Sequence, residues 1–528
     1  MGGDAPAAAV IERYGRWEWR CPQDLGGDNP CDPAQARLDV SLVAPSGRRF
    51  ALPGFFDGQA FRARFTPGEC GAWEYRAEAA TPTRRAEWRG TFEVVPSTRR
   101  GFLRLGADGL RHETGEPFVA VGENLCWGRL PDYERWLGRL AAAGCGFARL
   151  WMAPWGFALE WTDTPPGDYR PRLQRAENLD RVFDLAEAHG IALQLCLLNH
   201  GQFSTRVNPD WDANPWNAAR PGGFLQHPAE VFTDPRAQAL LLRRLRYIVA
   251  RWGYAPHLLA WELWNEVDLT DEYSSPAVAA WHGRVARALA ALDPCGHLIT
   301  TSYARPQGDA AVWALPELAF TQVHRYGFRD VPGQIAADLS RQRAFGKPAL
   351  YGELGLDSGG ADGTRDPAGR YIHQGAWAAL LGGSLGTALP WWWDNYVDPL
   401  DLYARWSGVS AFARQVFAQH PPTAFAPLPL TCTAPGEEPG VLALLHPGGA
   451  AAAWIWDAAG AAPAAAPADR AVLGARLHLD ALPPGPWRVS FWDTGTGQSW
   501  DAGGAAGGPG ERLALPPLRG DLAVTLRR

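Results

Sequence analysis

Three glutamates stand where carboxylates are expensive to keep. Glu262 and Glu266 lie within LLAWELWNEVD, an apolar, Trp-flanked run from Leu258 to Asp268, and Glu353 lies in PALYGELGL. An unpaired charge costs heavily once taken out of water, so such groups are held by partners or by a task. Two carboxyls facing each other across a cleft suit glycosidic bond cleavage. One must carry a proton for the leaving oxygen, and the other must be ionised to attack carbon or to activate water. An apolar or like-charged neighbour raises a carboxyl pKa, so environment can divide the two roles.

The elements around them must bring distant acids together. From Phe118 onward, apolar strand-like runs alternate with amphipathic helical ones. PFVAVGENL, FARLWMAPW, IALQLCLLNH, LLAWELWNEVD, LITTSY, AFTQVHRYG, PALYGELGL and GTALPWWWDN are the strand candidates, and helical patterns fill most of the gaps. The gap after LITTSY is the least clear. Buried parallel strands between crossover helices read this way, and eight repeats predict an α/β fold of the closed (β/α)8 TIM-barrel type. An open doubly wound sheet is the structural alternative. Residues 10 to 95 read instead as short alternating strands with Gly and Pro punctuation, predicting a β-sandwich. Residues 421 to 528 read similarly, with Ala/Gly/Pro-rich loops expected at 458–468 and 502–510. The expected division is 1–98, 99–420 and 421–528.

In such a barrel the reactive groups gather at the C-terminal strand ends. Those ends supply Asn124, Arg149 with Trp151, His200, Asn265 with Glu266, His324 with Tyr326, Glu353, and Asp394 with Asn395. Glu266 ends the fourth strand and Glu353 the seventh, which face each other across the mouth, so Glu353 is the expected partner of Glu266. Arg149, His324 and Tyr326 could hold Glu353 ionised. Strand alternation points Glu262 inward below Glu266, as a paired core carboxylate.

ELWNEVD on a fourth strand and YGELG on a seventh resemble clan A of the retaining glycoside hydrolases, with the family 5 cellulase and mannanase pattern as the best match. That resemblance implies Glu266 as acid/base, Glu353 as nucleophile, and substrate-binding or supporting roles for Asn265, Arg149, His200, His324 and Tyr326. It also implies a tryptophan on the eighth strand. In PWWWDN, alternation lets either Trp391 with Trp393, or Trp392 alone, face the mouth, and the first pair is preferred. The N-terminal region resembles the Ig-like domain of unknown function that precedes such barrels in bacterial proteins. The resemblance covers roughly residues 10 to 420.

Other features are weaker. The loop NPDWDANPWNAARPGGFLQHPAEVFTDP is long for a barrel connection. Trp211, Trp216 and Asn217 are either sugar contacts or the packing of a loop folded on itself. Trp151 and Trp155 read equally as core or cleft. GGSLG, Gly382 to Gly386, matches the G-x-S-x-G pattern but follows a helix and precedes a strand, the reverse of the nucleophile-elbow context.

Composition removes several classes. The 528 residues carry a net charge of -6, which gives no basic field for nucleic acid. No apolar run has membrane-spanning length. The start, MGGDAPAAAVIERYGRWEW, lacks a signal-peptide pattern, predicting a cytoplasmic chain or one shorn of its leader. No CxxC, HExxH or EF-hand loop occurs, so neither metal nor cofactor is expected. Cys21, Cys31 and Cys70 could form one bridge. The 26 Trp raise the expectation of a carbohydrate partner, since indole stacks on sugar faces. Two rivals stand beside the hydrolase reading: a non-catalytic carbohydrate-binding scaffold, and a transglycosidase using the same site.

Overall fold

The computed structural model of the chain describes residues 9–360, 362–460 and 471–528. The opening octapeptide, read above for a leader, and residues 461–468 of the expected low-complexity loop lie outside them. The molecule is mixed α/β with several separate sheets.

The N-terminal part holds two sheets. One has five strands in the spatial order Ala9–Glu12, Arg85–Val95, Gly71–Ala80, Arg37–Val43, Arg49–Pro53. The other has Trp17–Arg20, Phe61–Phe65 and Phe55–Phe56. In Arg37–Val43 every second side chain is buried, and Phe61–Phe65 alternates likewise. That period of two puts Leu38, Val40, Leu42, Phe61, Ala63 and Phe65 into one core with Trp73 and Phe92.

The central part is built on parallel strands in chain order. Gly122–Asn124, Phe147–Trp151, Ala192–Cys196, Leu258–Glu262 and Leu298–Thr300 form one five-stranded sheet. Thr321–Tyr326 and Ala349–Gly355 form a parallel pair. Isolated parallel bridges join these pieces: Tyr303 to Val323, Leu354 to Pro390, and Gly386 back to Ala120. The last of these bridges reaches the segment just before the first strand. The second, third, fourth and seventh strands are buried along their whole length, as expected for parallel strands covered on both faces. Helices cross between most neighbours: Leu130–Ala142, Leu173–Ala188, Pro235–Trp252, Ser275–Leu292, Val331–Arg343 and Arg370–Leu381. After the fifth strand the connection holds only the short helix Ala310–Trp313, which accounts for its faint periodicity in the sequence. Asp234 caps Pro235–Trp252 by accepting from the Ala237 N–H at 2.8 Å, with proline at the helix start.

A hairpin that the sequence did not disclose, Leu103–Gly106 with Gly109–His112, covers the opposite, N-terminal end of these strands. Its Leu103 and Leu110 join Phe147, Ala192, Leu259, Phe320, Leu350 and Leu385 in a separate apolar cluster.

The C-terminal part pairs a six-stranded sheet with a three-stranded one around Ile455, Leu477, Val489, Val524 and Leu526. The expected loop at 502–510 is corrected here. Ser499–Gly507 is an edge strand paired with Gly485–Trp492. Its Gly/Ala content hides the usual alternation, but backbone pairing does not require side chains. This part sits tightly on the centre. A Cβ at Gly408 would come within 1.8 Å of the Thr494 carbonyl oxygen, and the Phe412 and Trp492 rings lie 5.1 Å apart. All eight cysteines are free, so the bridge left open for Cys21, Cys31 and Cys70 is not formed. Among the described residues no helix is long and apolar enough to cross a membrane.

Candidate active site

The C-terminal ends of the parallel strands converge on one buried polar cluster, and Arg149 is its hub. Its Nε and Nη2 donate to Glu262 at 2.6 and 2.7 Å. Its Nη1 donates to Asn124 Oδ1 at 3.0 Å and Glu353 Oε1 at 2.8 Å. Nη2 also donates to Asn265 Oδ1 at 2.7 Å. All five guanidinium N–H groups are spent, and the side chain is fully buried. Arg149 therefore ties the second, fourth and seventh strands together and has nothing left to offer a ligand.

Glu353 receives a second donor, the Tyr326 hydroxyl, at 2.6 Å from Oε2. Burial raises the Tyr326 pKa well above its usual value, with the adjacent Glu353 adding to it, so the phenol keeps its proton and donates. Glu266 faces Glu353 with two imidazoles beside it. His324 Nδ1 lies 2.9 Å from its Oε1 and His200 Nδ1 lies 3.4 Å from its Oε2. Ligand atoms of Glu266, His324 and Glu353 all fall within 4.8 Å of one another. The backbone contributes as well. Glu266 has φ +51°, the strained left-handed region, held by its N–H donating to Ser302 Oγ at 3.0 Å. The pairing register shifts between Val323 and His324, which turns the imidazole toward the acids.

Electrostatics separate the acids. Burial opposes charge on Glu262, but the bidentate Arg149 overcomes it and holds that carboxyl below the usual range. Burial lifts both Glu266 and Glu353 above it, and the negative Glu266 adds to the rise at Glu353. Of this pair, Glu353 has a guanidinium and a phenol donating to it, and both contacts favour its carboxylate. Burial also lowers His324 to about 4. It is thus neutral at ordinary pH and adds no cation beside Glu266.

Not every expected residue reaches the mouth. Asn124 is fully buried, its amide donating to the carbonyls of Gly352, Leu389 and Pro390 while Oδ1 takes Arg149. It braces the strand ends and offers a ligand nothing. Trp393, expected at the mouth with Trp391, is wholly buried, with its Nε1 donating to the Trp127 carbonyl at 3.2 Å. The chain there is not extended. Trp392 has φ +56° and Trp393–Val397 is a π-helical turn, so alternation fails. Trp391 stays near the mouth at 7% exposure, 5.1 Å from Trp151 between ring centroids. Trp151 in turn lies under the Arg149 guanidinium at 5.4 Å. Trp392 is half-buried, its Nε1 donating to the Asp357 carbonyl.

In the long loop Trp211 and Trp216 are buried, and Trp216 Nε1 donates to Glu160 at 2.8 Å. Asn217 is used by the Trp211 carbonyl and the Ala219 N–H. The loop is folded on its own aromatics, which decides between the two readings left open. It does supply Asn208, whose Oδ1 lies 3.0 Å from His200 Nε2. Asn265 lies fully buried against Arg149, with Nδ2 at 3.3 Å from His200.

Two residues went unseen in the sequence. Gln194 donates to Glu262 at 2.8 Å and to Gln322 Oε1 at 2.6 Å, beneath the acids. Each is a lone amide within an apolar strand, IALQL and FTQVH, the same signal that marked Glu262. As for metals, the Glu266, His324 and Glu353 atoms are of ligating types, but the Glu353 oxygens already take a guanidinium and a phenol. A cation would have to share that space with the positive Arg149.

Acids paired at the exits of parallel strands make this protein resemble the family 5-like glycoside hydrolases of clan A, as its motifs implied. Known proteins agree. Residues 10–80 match the model of a domain of unknown function, DUF5060. The chain is 24% identical over 303 residues to mannan endo-1,4-beta-mannosidase F of Aspergillus fumigatus, a match covering 50% of this chain and 66% of that protein. It is 25% identical over 366 residues to mannan endo-1,4-beta-mannosidase 1 of Oryza sativa, covering 57% of this chain and 80% of that one. The chain thus spans just under two-thirds of the length of the Aspergillus relative. In fold it is similar to a Bacteroides vulgatus protein provisionally described as a glycoside hydrolase. That likeness has a TM-score of 0.66 at 14% identity and covers 98% of this chain and 100% of that one.

Proposed function

We propose that the chain is a retaining β-glycoside hydrolase acting on a β-linked oligo- or polysaccharide, with β-1,4-mannan as the first substrate to test. We read its fold as a (β/α)8 barrel, residues 99–420, between β-sandwiches at 1–98 and 421–528. The observation that carries the reading is the approach of Glu266 and Glu353, whose oxygens come within 4.8 Å at the mouth. Retaining pairs stand about 5–5.5 Å apart, whereas inverting pairs need roughly 6.5–9.5 Å to admit a water. The mannosidase names of the relatives support the choice of substrate.

In the first step the Glu353 carboxylate attacks the anomeric carbon while the bond to the leaving oxygen breaks. Glu266 gives that oxygen its proton. In the second step water attacks the same carbon, Glu266 takes the water's proton, and the bond to Glu353 breaks with its electrons returning to the carboxylate. Arg149 and Tyr326 keep Glu353 aimed and ionised before attack. Asn265 and His200 stand beside Glu266, where the sugar's 2-hydroxyl would approach, and Trp391 supplies an indole at the ring's face.

Incubation with β-mannan, β-glucan and xylan, with the product anomer followed by NMR, tests this. Release of the β-anomer first is expected. Release of the α-anomer, or inertness toward the whole panel, overturns it.

A further inference from the structure

Trp155 is 49% exposed, yet the turn that carries it is fixed with unusual care. The buried Arg172 donates from Nη1 to the carbonyls of Pro154 and Ala158, each at 2.8 Å. Arg175 donates to the carbonyls of Trp155 itself and of Gly156, at 2.7 and 2.9 Å. The Gly156 N–H closes the turn on the Ala153 carbonyl at 2.9 Å. Two arginines from one helical segment thus lock a backbone whose side chain is offered to water. Single exposed apolar residues are ordinary, but an exposed indole backed by further aromatic rings is less so. Trp155 is backed in this way: its ring lies 5.5 Å from the half-buried Trp127, which lies 5.4 Å from Trp391. Trp391 leads through Trp151 to Arg149 and Glu353. The indoles therefore form a packed run from the buried cluster around Arg149 outward to solvent at Trp127 and Trp155, in steps comparable to the length of a pyranose ring. Trp127 is itself anchored, its Nε1 donating to Asp394 Oδ2 at 3.0 Å.

We propose that Trp155 is a stacking platform for a pyranose ring lying farther along the chain than the ring held at the carboxylates, so that this site selects β-linked chains over short glycosides. The proposal rests on the carbohydrate reading above. An indole face offers apolar area to the C–H face of a sugar ring. Because the turn is already fixed, little ordering is lost on binding.

The experiment is calorimetric titration of two ladders, β-1,4-linked manno- and cello-oligosaccharides from disaccharide to hexasaccharide, into the Glu353→Gln protein with and without Trp155→Ala. The exposed position makes a folded variant expected, and circular dichroism checks it. The penalty should grow with chain length, to roughly tenfold in Kd for the hexasaccharide and within about twofold for the disaccharide. Trp155→Phe, which keeps a smaller ring face, should recover most of the loss. A penalty independent of length, or none, overturns the platform. Wild-type turnover of an aryl β-mannoside is measured alongside. Turnover with no length dependence overturns the platform and leaves the hydrolase, whereas no turnover and no binding to either ladder overturns both.

Discussion

Arg149 and Glu262 form a doubly hydrogen-bonded ion pair in which neither side chain reaches solvent, with Nε and Nη2 at 2.6 and 2.7 Å from the two carboxylate oxygens. The pair costs desolvation on both sides, and its return is placement: the remaining Arg149 N–H groups reach Glu353, Asn265 and Asn124. Removing one partner of a buried pair strands the other. Glu262→Gln should therefore lower stability by about 3 kcal/mol, read as a drop in Tm and in the denaturant midpoint. The sign with pH follows from the depressed folded pKa of Glu262. Its contribution is present above the unfolded value near ~4.3 and is lost as pH falls through the folded value, so the gap between wild type and variant should narrow in acid. A variant as stable as wild type but selectively dead would show Glu262 to act in turnover itself.

Glu353→Ala should lower kcat by roughly 10⁴-fold or more, because the covalent route is lost and not merely slowed. Azide fits the space left by the carboxylate and should restore product as the glycosyl azide of inverted configuration. Product of retained configuration, or activity unchanged, would remove Glu353 from the nucleophile's position.

The acid pair was legible in the sequence because two independent regularities coincide on it: apolar strands recurring between helices, and a carboxylate at the exit of the fourth and seventh. Arg149 was read as a group holding Glu353 and it does hold it, but neither its saturation nor that of Asn124, a candidate substrate contact at the first strand's end, was visible. A sequence shows that a donor exists and cannot show that all its bonds are spent. Trp393 was misread for a different reason, since period-two reasoning holds only while the backbone is extended, and the left-handed Trp392 ends that before Trp393. Gln194 and Gln322 were within reach, as lone amides in apolar runs, and were passed over because neither can ionise. The edge strand Ser499–Gly507 lay beyond hydropathy altogether, since glycine and alanine carry almost no periodic signal.

The pH dependence of kcat/KM should be bell-shaped. Activity needs Glu353 ionised, so it fails as pH falls through the lower apparent pKa of the pair. It also needs Glu266 protonated, so it fails as pH rises through the higher one. Burial lifts both carboxyls, so both limbs should lie above the ordinary glutamate value of ~4.3. His324, lowered to about 4, stays neutral across the active range and contributes no limb there. Glu266→Gln should abolish the alkaline limb for substrates whose leaving group needs no proton. Persistence of that limb in the variant would assign it to another group.

Tyr326 offers the sharpest separation of holding from reacting. Its hydroxyl donates to Glu353 Oε2 at 2.6 Å and touches neither Glu266 nor Arg149 in any hydrogen bond of the described residues. Tyr326→Phe removes that donor while keeping the ring. A hydrogen bond to a charged acceptor is worth about 1.5–3 kcal/mol, so the carboxylate form of Glu353 should become harder to reach by a similar amount. The acid limb of kcat/KM should then move to higher pH by roughly one to two units, with the alkaline limb moving far less. At the optimum kcat should fall roughly ten- to hundredfold, since the nucleophile also loses its aim. A purely structural tyrosine would lower Tm and leave both limbs in place. An unmoved acid limb in a folded variant would therefore show that Arg149 alone holds Glu353 ionised.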